Sequence, residues 1–105
     1  EKNVAFDEEH SLGILKLHDE TTLLVDRVQE LLEQANKDER VLSIIRKQGF
    51  DITQLVRDLR SMHWSHLAEG QYDPLVTTTY TDILNDYRKI KEHLIIAAET
   101  GLGVK

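Results

Sequence analysis

The sequence contains no cysteine. Disulfides and thiolate chemistry are excluded, and the absence suits a reducing compartment. Long apolar runs are also missing. The longest, LIIAA at 94–98, falls far short of the roughly 20 residues that a bilayer-crossing helix needs. Basic charge is scarce: 13 Lys and Arg stand against 19 Asp and Glu, a formal net charge of −6. The basic residues are interleaved with acids and form no block, so counterion release offers no route to nucleic acid, which is excluded as a partner. There is no glycine-rich phosphate loop, no nucleophile with a partnered base and no cysteine pair, and an enzyme is not expected. The one proline, Pro74, stands where a helix starts.

What is present is helical periodicity. The 105 residues suffice for one domain. His10, Ile14, Leu17, Thr21, Leu24, Val28, Leu31 and Ala35 recur at steps of four and three, the seam of a helix packed lengthwise against neighbours, and Val25 and Leu32 widen the stripe. A second seam runs Val41, Ile45, Gln48, Ile52, Leu55, Leu59, Met62, His66. Gly49 lies inside it. GFDITQ admits a helix stop and a new cap (Asp51, with Gln54 closing a capping box), but the repeat does not slip there, so one helix weakened by about 1 kcal/mol is the preferred reading. The third seam is Val76, Tyr80, Ile83, Tyr87, Ile90, Leu94, Ala97, with Gly70, Asp73 and Pro74 as stop and start signals before it and Gly101 after it. Short links, NKDE and GQYDP, force antiparallel neighbours. The expectation is an all-α, antiparallel, up-down-up three-helix bundle with helices at about 10–36, 39–69 and 74–100, after a frayed lead-in, EKNVAFDEEH.

The richest chemistry lies in DILNDYRKIKEHL, 82–94. Ile83, Tyr87, Ile90 and Leu94 are expected to take the core side, with Asp82, Asp86, Lys89 and His93 at its edge. Asp82 and Asp86, one turn apart, could hold a metal with acids from another helix. The alternative is a solvated flank, with Arg88 and Glu92 as an ion pair and Lys89 neutralising Asp86 or Asp82. A di-iron bundle needs His and carboxylate at i,i+3 or i,i+4 on several helices. His10, His18 and His93 have no downstream acid at those offsets, and only His66 with Glu69 qualifies. His63 and His66 could chelate one ion or pack over the core edge beside Trp64.

Residues 63–99, HWSHLAEGQYDPLVTTTYTDILNDYRKIKEHLIIAAE, resemble the PhoU family, and more closely the PhoU-like domain that ends bacterial sodium/phosphate cotransporters of the solute carrier type. His63, Leu67 and Gly70 match the helix that ends in His, Leu and Gly in those domains. Asp86, Ile90, His93, Ala98 and Glu99 match the acidic helix that follows. The resemblance extends over residues 10–100 and implies a PhoU-like (or spectrin-repeat-like) three-helix unit. It also implies iron or zinc bound through E/D-x-x-x-D motifs. Here that place is taken by RKIKE, 88–92, in which the first acid is Arg88, Lys89 and Lys91 bracket the rest, and only Glu92 keeps a carboxylate. The acidic motif is degraded and no cofactor is expected, with Asp82, Asp86, Glu92 and His93 as residual candidate ligands.

The resemblance implies a regulatory or assembly domain of a sodium-dependent phosphate transporter, without catalysis of its own. It would sit on the cytoplasmic side of the bacterial inner membrane. Its partners would be the membrane-embedded portion of the same chain and a second copy in a homodimer. The start at Glu1 rather than Met reads as a piece of a longer transporter chain. The alternatives are a metal-binding PhoU-like phosphate-regulatory protein and a plain self-associating bundle. Leu12, Leu15, Ile95 and Ile96, which lie off the seams, are the candidate interface residues.

Overall fold

A computed structural model describes residues 6–34, 38–70 and 73–103. Three helices account for most of them: α1 (Glu8–Glu33), α2 (Glu39–Leu67) and α3 (Pro74–Gly101). Each packs against both others, in a body 53 × 27 × 22 Å. The start of α1 meets the end of α2 and the start of α3, while Leu32, late in α1, lies against Gly101. The all-α, up-down-up three-helix bundle expected from periodicity is the fold observed.

Each helix begins on an aspartate. Asp7 accepts a hydrogen bond from the His10 backbone N–H, Asp38 from Arg40 and Asp73 from Leu75. A carboxylate at this place satisfies a backbone donor that the helix leaves open and favours the positive end of the helix dipole. Asp7 therefore corrects the second half of the frayed lead-in: the chain is helical from Glu8 and Phe6 packs against the core, while residues 1–5 lie outside the described residues. At the other ends, Gly70 (φ 74°) and Gly103 (φ 76°) take the left-handed conformation that stops a helix. Gly101, expected as the stop, is still helical.

In α1 the expected seam is the buried face. His10, Leu17, Thr21, Leu24, Val28 and Leu31 are buried and Ile14 is half-buried; Ala35 lies outside the described residues. Thr21 fits because its hydroxyl donates to the Leu17 carbonyl at 2.8 Å. Val25 and Leu32, expected to widen the stripe, are exposed.

In α2 the buried line is Leu42, Ile45, Gly49, Ile52, Val56, Leu59 and His63. Ile45, Ile52 and Leu59 belong to the expected seam, but Val41, Gln48, Leu55, Met62 and His66 are only half-buried. The rotation follows from Gly49. The helix runs through it unbroken, and a Cβ there would stand 2.8 Å from Ile95 Cδ1. Gly49 is a point of close approach to α3, and Asp51 caps nothing but pairs with Lys47 one turn back at 2.7 Å.

In α3 the fully buried residues are Tyr80, Leu84 and Ala98. Ile83, Tyr87, Leu94 and Ala97 are half-buried, and Ile90, expected in the core, is 43% exposed. This helix carries apolar residues nearly all round, so more than one face satisfies the helical repeat. Gly49 and Ala98 are both buried, and Ile95 closes over Gly49 with the Leu84–Ala98 face turned inward.

Candidate functional site

The polar chemistry of the interior collects at one end of the bundle. Asp7 Oδ1 accepts from His10 Nδ1 at 2.7 Å as well as from the His10 backbone N–H at 2.8 Å. His10 Nε2 lies 2.9 Å from His63 Nδ1, and His63 Nε2 lies 3.0 Å from Thr77 Oγ1. The chain Asp7–His10–His63–Thr77 crosses all three helices. His10 is 0% exposed and His63 1%. Aromatic rings enclose it: Phe6 stacks on His10 with centroids 6.3 Å apart, and Tyr80 stands edge-on to His10 at 4.4 Å. Beside it, His66 Nε2 reaches Glu9 at 3.3 Å.

The hydrogen-bond pattern assigns the tautomers. An ionised Asp7 only accepts, so His10 carries its proton on Nδ1 and offers a bare Nε2. His63 must then donate from Nδ1, which leaves its Nε2 to accept from the Thr77 hydroxyl. Every donor points the same way along the chain. Burial holds the His63 imidazole below the ordinary histidine value; the neighbouring His10 and His66 push it the same way, and Asp7 opposes them.

The order Thr–His–His–Asp also has the connectivity of an activated hydroxyl. The start of α3, however, supplies no free donors for a developing oxyanion. The Leu75 N–H is bonded to Asp73 Oδ1, and the Val76 and Thr77 N–H groups to the Asp73 carbonyl. The four residues join the three helices.

The residues singled out along 82–94 are placed differently. Asp82, Asp86, Lys89, Glu92 and His93 are exposed, and Glu92 is paired with Arg88 at 2.8 Å. This is the solvated-flank arrangement. Among the described residues no group of three or more His, Asp or Glu is arranged to hold a metal ion. His63 and His66 do not chelate together, because both ring nitrogens of His63 are engaged by His10 and Thr77. His66 faces Glu9 on α1 instead of Glu69 one turn on.

Of the candidate interface residues, Leu12, Leu15 and Ile96 are 58%, 55% and 57% exposed, while Ile95 is half-buried against the core. They do not form one patch. Leu15 borders an open cleft of about 380 Å³ between α1 and α3 with Phe6, Ile14, His18, Ile83 and Tyr87. Ile95 and Ile96 border another farther along α3 with Lys91 and Glu92. His18 adds a second link between the two helices, Nδ1 to Tyr87 Oη at 2.9 Å.

Comparison of the chain with family models, with curated proteins and with solved structures finds no match.

Sequence reasoning missed the relay but held its signals. Asp7 stands three residues before His10, on the upstream side. His10 opens the first seam and His63 lies near the end of the second helix, so antiparallel packing brings them level.

Proposed function

We propose that this chain is a regulatory and assembly domain of the PhoU-like kind, serving a sodium-dependent phosphate transporter and carrying out no catalysis of its own. The observation that carries this reading is the fate of the residues that resemble the family. His63, matched to the histidine near the family's helix end, is the node that joins three helices. The place of the acidic metal motif is filled by an Arg88–Glu92 ion pair facing solvent. Such a domain keeps the bundle and loses the metal. The domain docks against a membrane-embedded partner on the cytoplasmic side; no helix among the described residues is itself long and apolar enough to cross a membrane.

Deleting residues 6–103 from the full-length protein tests the proposal. Phosphate uptake, or its response to external phosphate, is expected to change. If both are unaltered while the protein reaches the membrane in normal amount, the regulatory role fails.

A second reading, a self-associating bundle unconnected with phosphate, is favoured by the exposure of Leu12, Leu15 and Ile96. Both readings expect a homodimer. Light scattering that gives a monomer mass across a hundredfold concentration range would remove that feature from each.

A further inference from the structure

The buried end of the bundle has an unusual proton inventory. Two imidazoles, both inaccessible to water, face each other nitrogen to nitrogen at 2.9 Å. One of the facing nitrogens must carry a proton and the other must not. From α1, Asp7 bonds His10 and Glu9 pairs with His66; α2 brings His63 and His66; α3 brings the Tyr80 ring and the Thr77 hydroxyl.

With no added proton, the donors run from Thr77 through His63 and His10 to Asp7. A first added proton is accommodated without moving a heavy atom. It enters on His10 Nε2, beside the Asp7 carboxylate. His10 then donates to His63 Nδ1, and His63 shifts its own proton to Nε2 and donates to Thr77 Oγ1. The threonine hydroxyl makes this reversal possible because it both donates and accepts. A second proton has no such solution. Both facing nitrogens become donors, and two cations meet in a site shielded from solvent.

We infer that the Asp7–His10–His63–Thr77 chain is a proton-operated latch, which holds the starts of α1 and α3 to the end of α2 with zero or one added proton and releases them with a second. The ligand is the proton itself. The latch is independent of the transporter assignment, because it rests only on residues that meet at this end. The depressed basicity of His63 is in keeping with it, since burial and the neighbouring histidines resist the second charge. The His66 ring lies 6.1 Å from that of His10.

The experiment is an NMR titration of the whole chain from pH 8 to pH 5. Imidazole nitrogen shifts report tautomers, and amide exchange, corrected for its intrinsic pH dependence, reports opening. At pH 8, Nδ1-protonated tautomers of His10 and His63 are expected. Towards pH 5, exchange at residues 8–11, 63–67 and 76–80 is expected to rise about tenfold or more relative to Leu24 and Ile45. His63→Gln, which cannot take a proton, is expected to abolish that selective rise. Thr77→Val, which removes the acceptor required by the singly protonated state, is expected to move the opening to higher pH; a merely structural threonine would lower protection by one factor at every pH. The latch is overturned if the end and the centre respond to pH by the same factor in the native chain. It is equally overturned if His63→Gln retains the selective rise. Should His63→Gln not fold, the native-chain comparison and the Thr77→Val shift decide the question.

Discussion

The two halves of this bundle are held by different forces. Around Leu24, Val28 and Leu31 of α1, Leu42 and Ile45 of α2 and Ala98 of α3 the helices meet through aliphatic side chains that are almost entirely buried. At the other end His10, His63, Thr77 and Tyr80 take the corresponding places. Each buried aliphatic side chain contributes about 1.5–3 kcal/mol through removal of apolar surface from water, with no dependence on pH near neutrality. Each buried histidine contributes only while its partners carry the right protons. A continuous helical repeat thus conceals a change in the kind of interaction. The aliphatic half makes the bundle stable, and the histidine half makes one end of that stability conditional.

The largest effect is expected in the aliphatic half. Leu24→Ala should cost about 2–5 kcal/mol in urea unfolding, by the same amount at pH 7.5 and pH 5.5. His63→Ala should cost less, about 1–3 kcal/mol at pH 7.5, because it strips hydrogen bonds from His10 and Thr77 and leaves a smaller void. Its cost should shrink at pH 5.5, where the native chain has itself lost stability. Asp7→Ala comes next. Loss of a helix cap costs about 1 kcal/mol, which is the figure expected for Asp73→Ala; Asp7→Ala should exceed it, since that carboxylate also holds His10 Nδ1. The smallest effect belongs to the solvent-facing ion pair. Arg88→Ala should change stability by no more than about 0.5 kcal/mol, and less in high salt.

How far the sequence reveals this division depends on how a residue's partners are spaced. In α1 the stripe that recurs at steps of four and three is the buried face, His10 and Thr21 included, although Leu12, Leu15 and Leu23 stand exposed outside it. In α3 Leu84, Ile90, Ile95 and Ile96 surround the helix, so periodicity alone cannot choose the face that meets α2. Gly49 illustrates the same limit in α2. As a letter in a helix it reads as a weakness, and as a neighbour of Ile95 it is a contact. The relay was the least legible part. His10 and His63 are 53 positions apart and become partners only through the antiparallel arrangement of two helices. The charge-rich stretch at 82–94 drew attention because its acids and histidine are adjacent in sequence, yet adjacency on an exposed face brings no group of ligands together.

In this proposal protons control one end of the bundle and not the other. The most direct measurement is urea unfolding of the native chain and of His63→Gln between pH 8 and pH 5. The His63 imidazole is held below its ordinary value of about 6.5, so beneath that pH the unfolded chain binds a proton that the folded chain resists. Stability should therefore be level above pH 6.5 and fall as the pH drops below it, and the fall should be shallower in His63→Gln. Two parallel curves, with the same loss of stability in both proteins, would contradict the account.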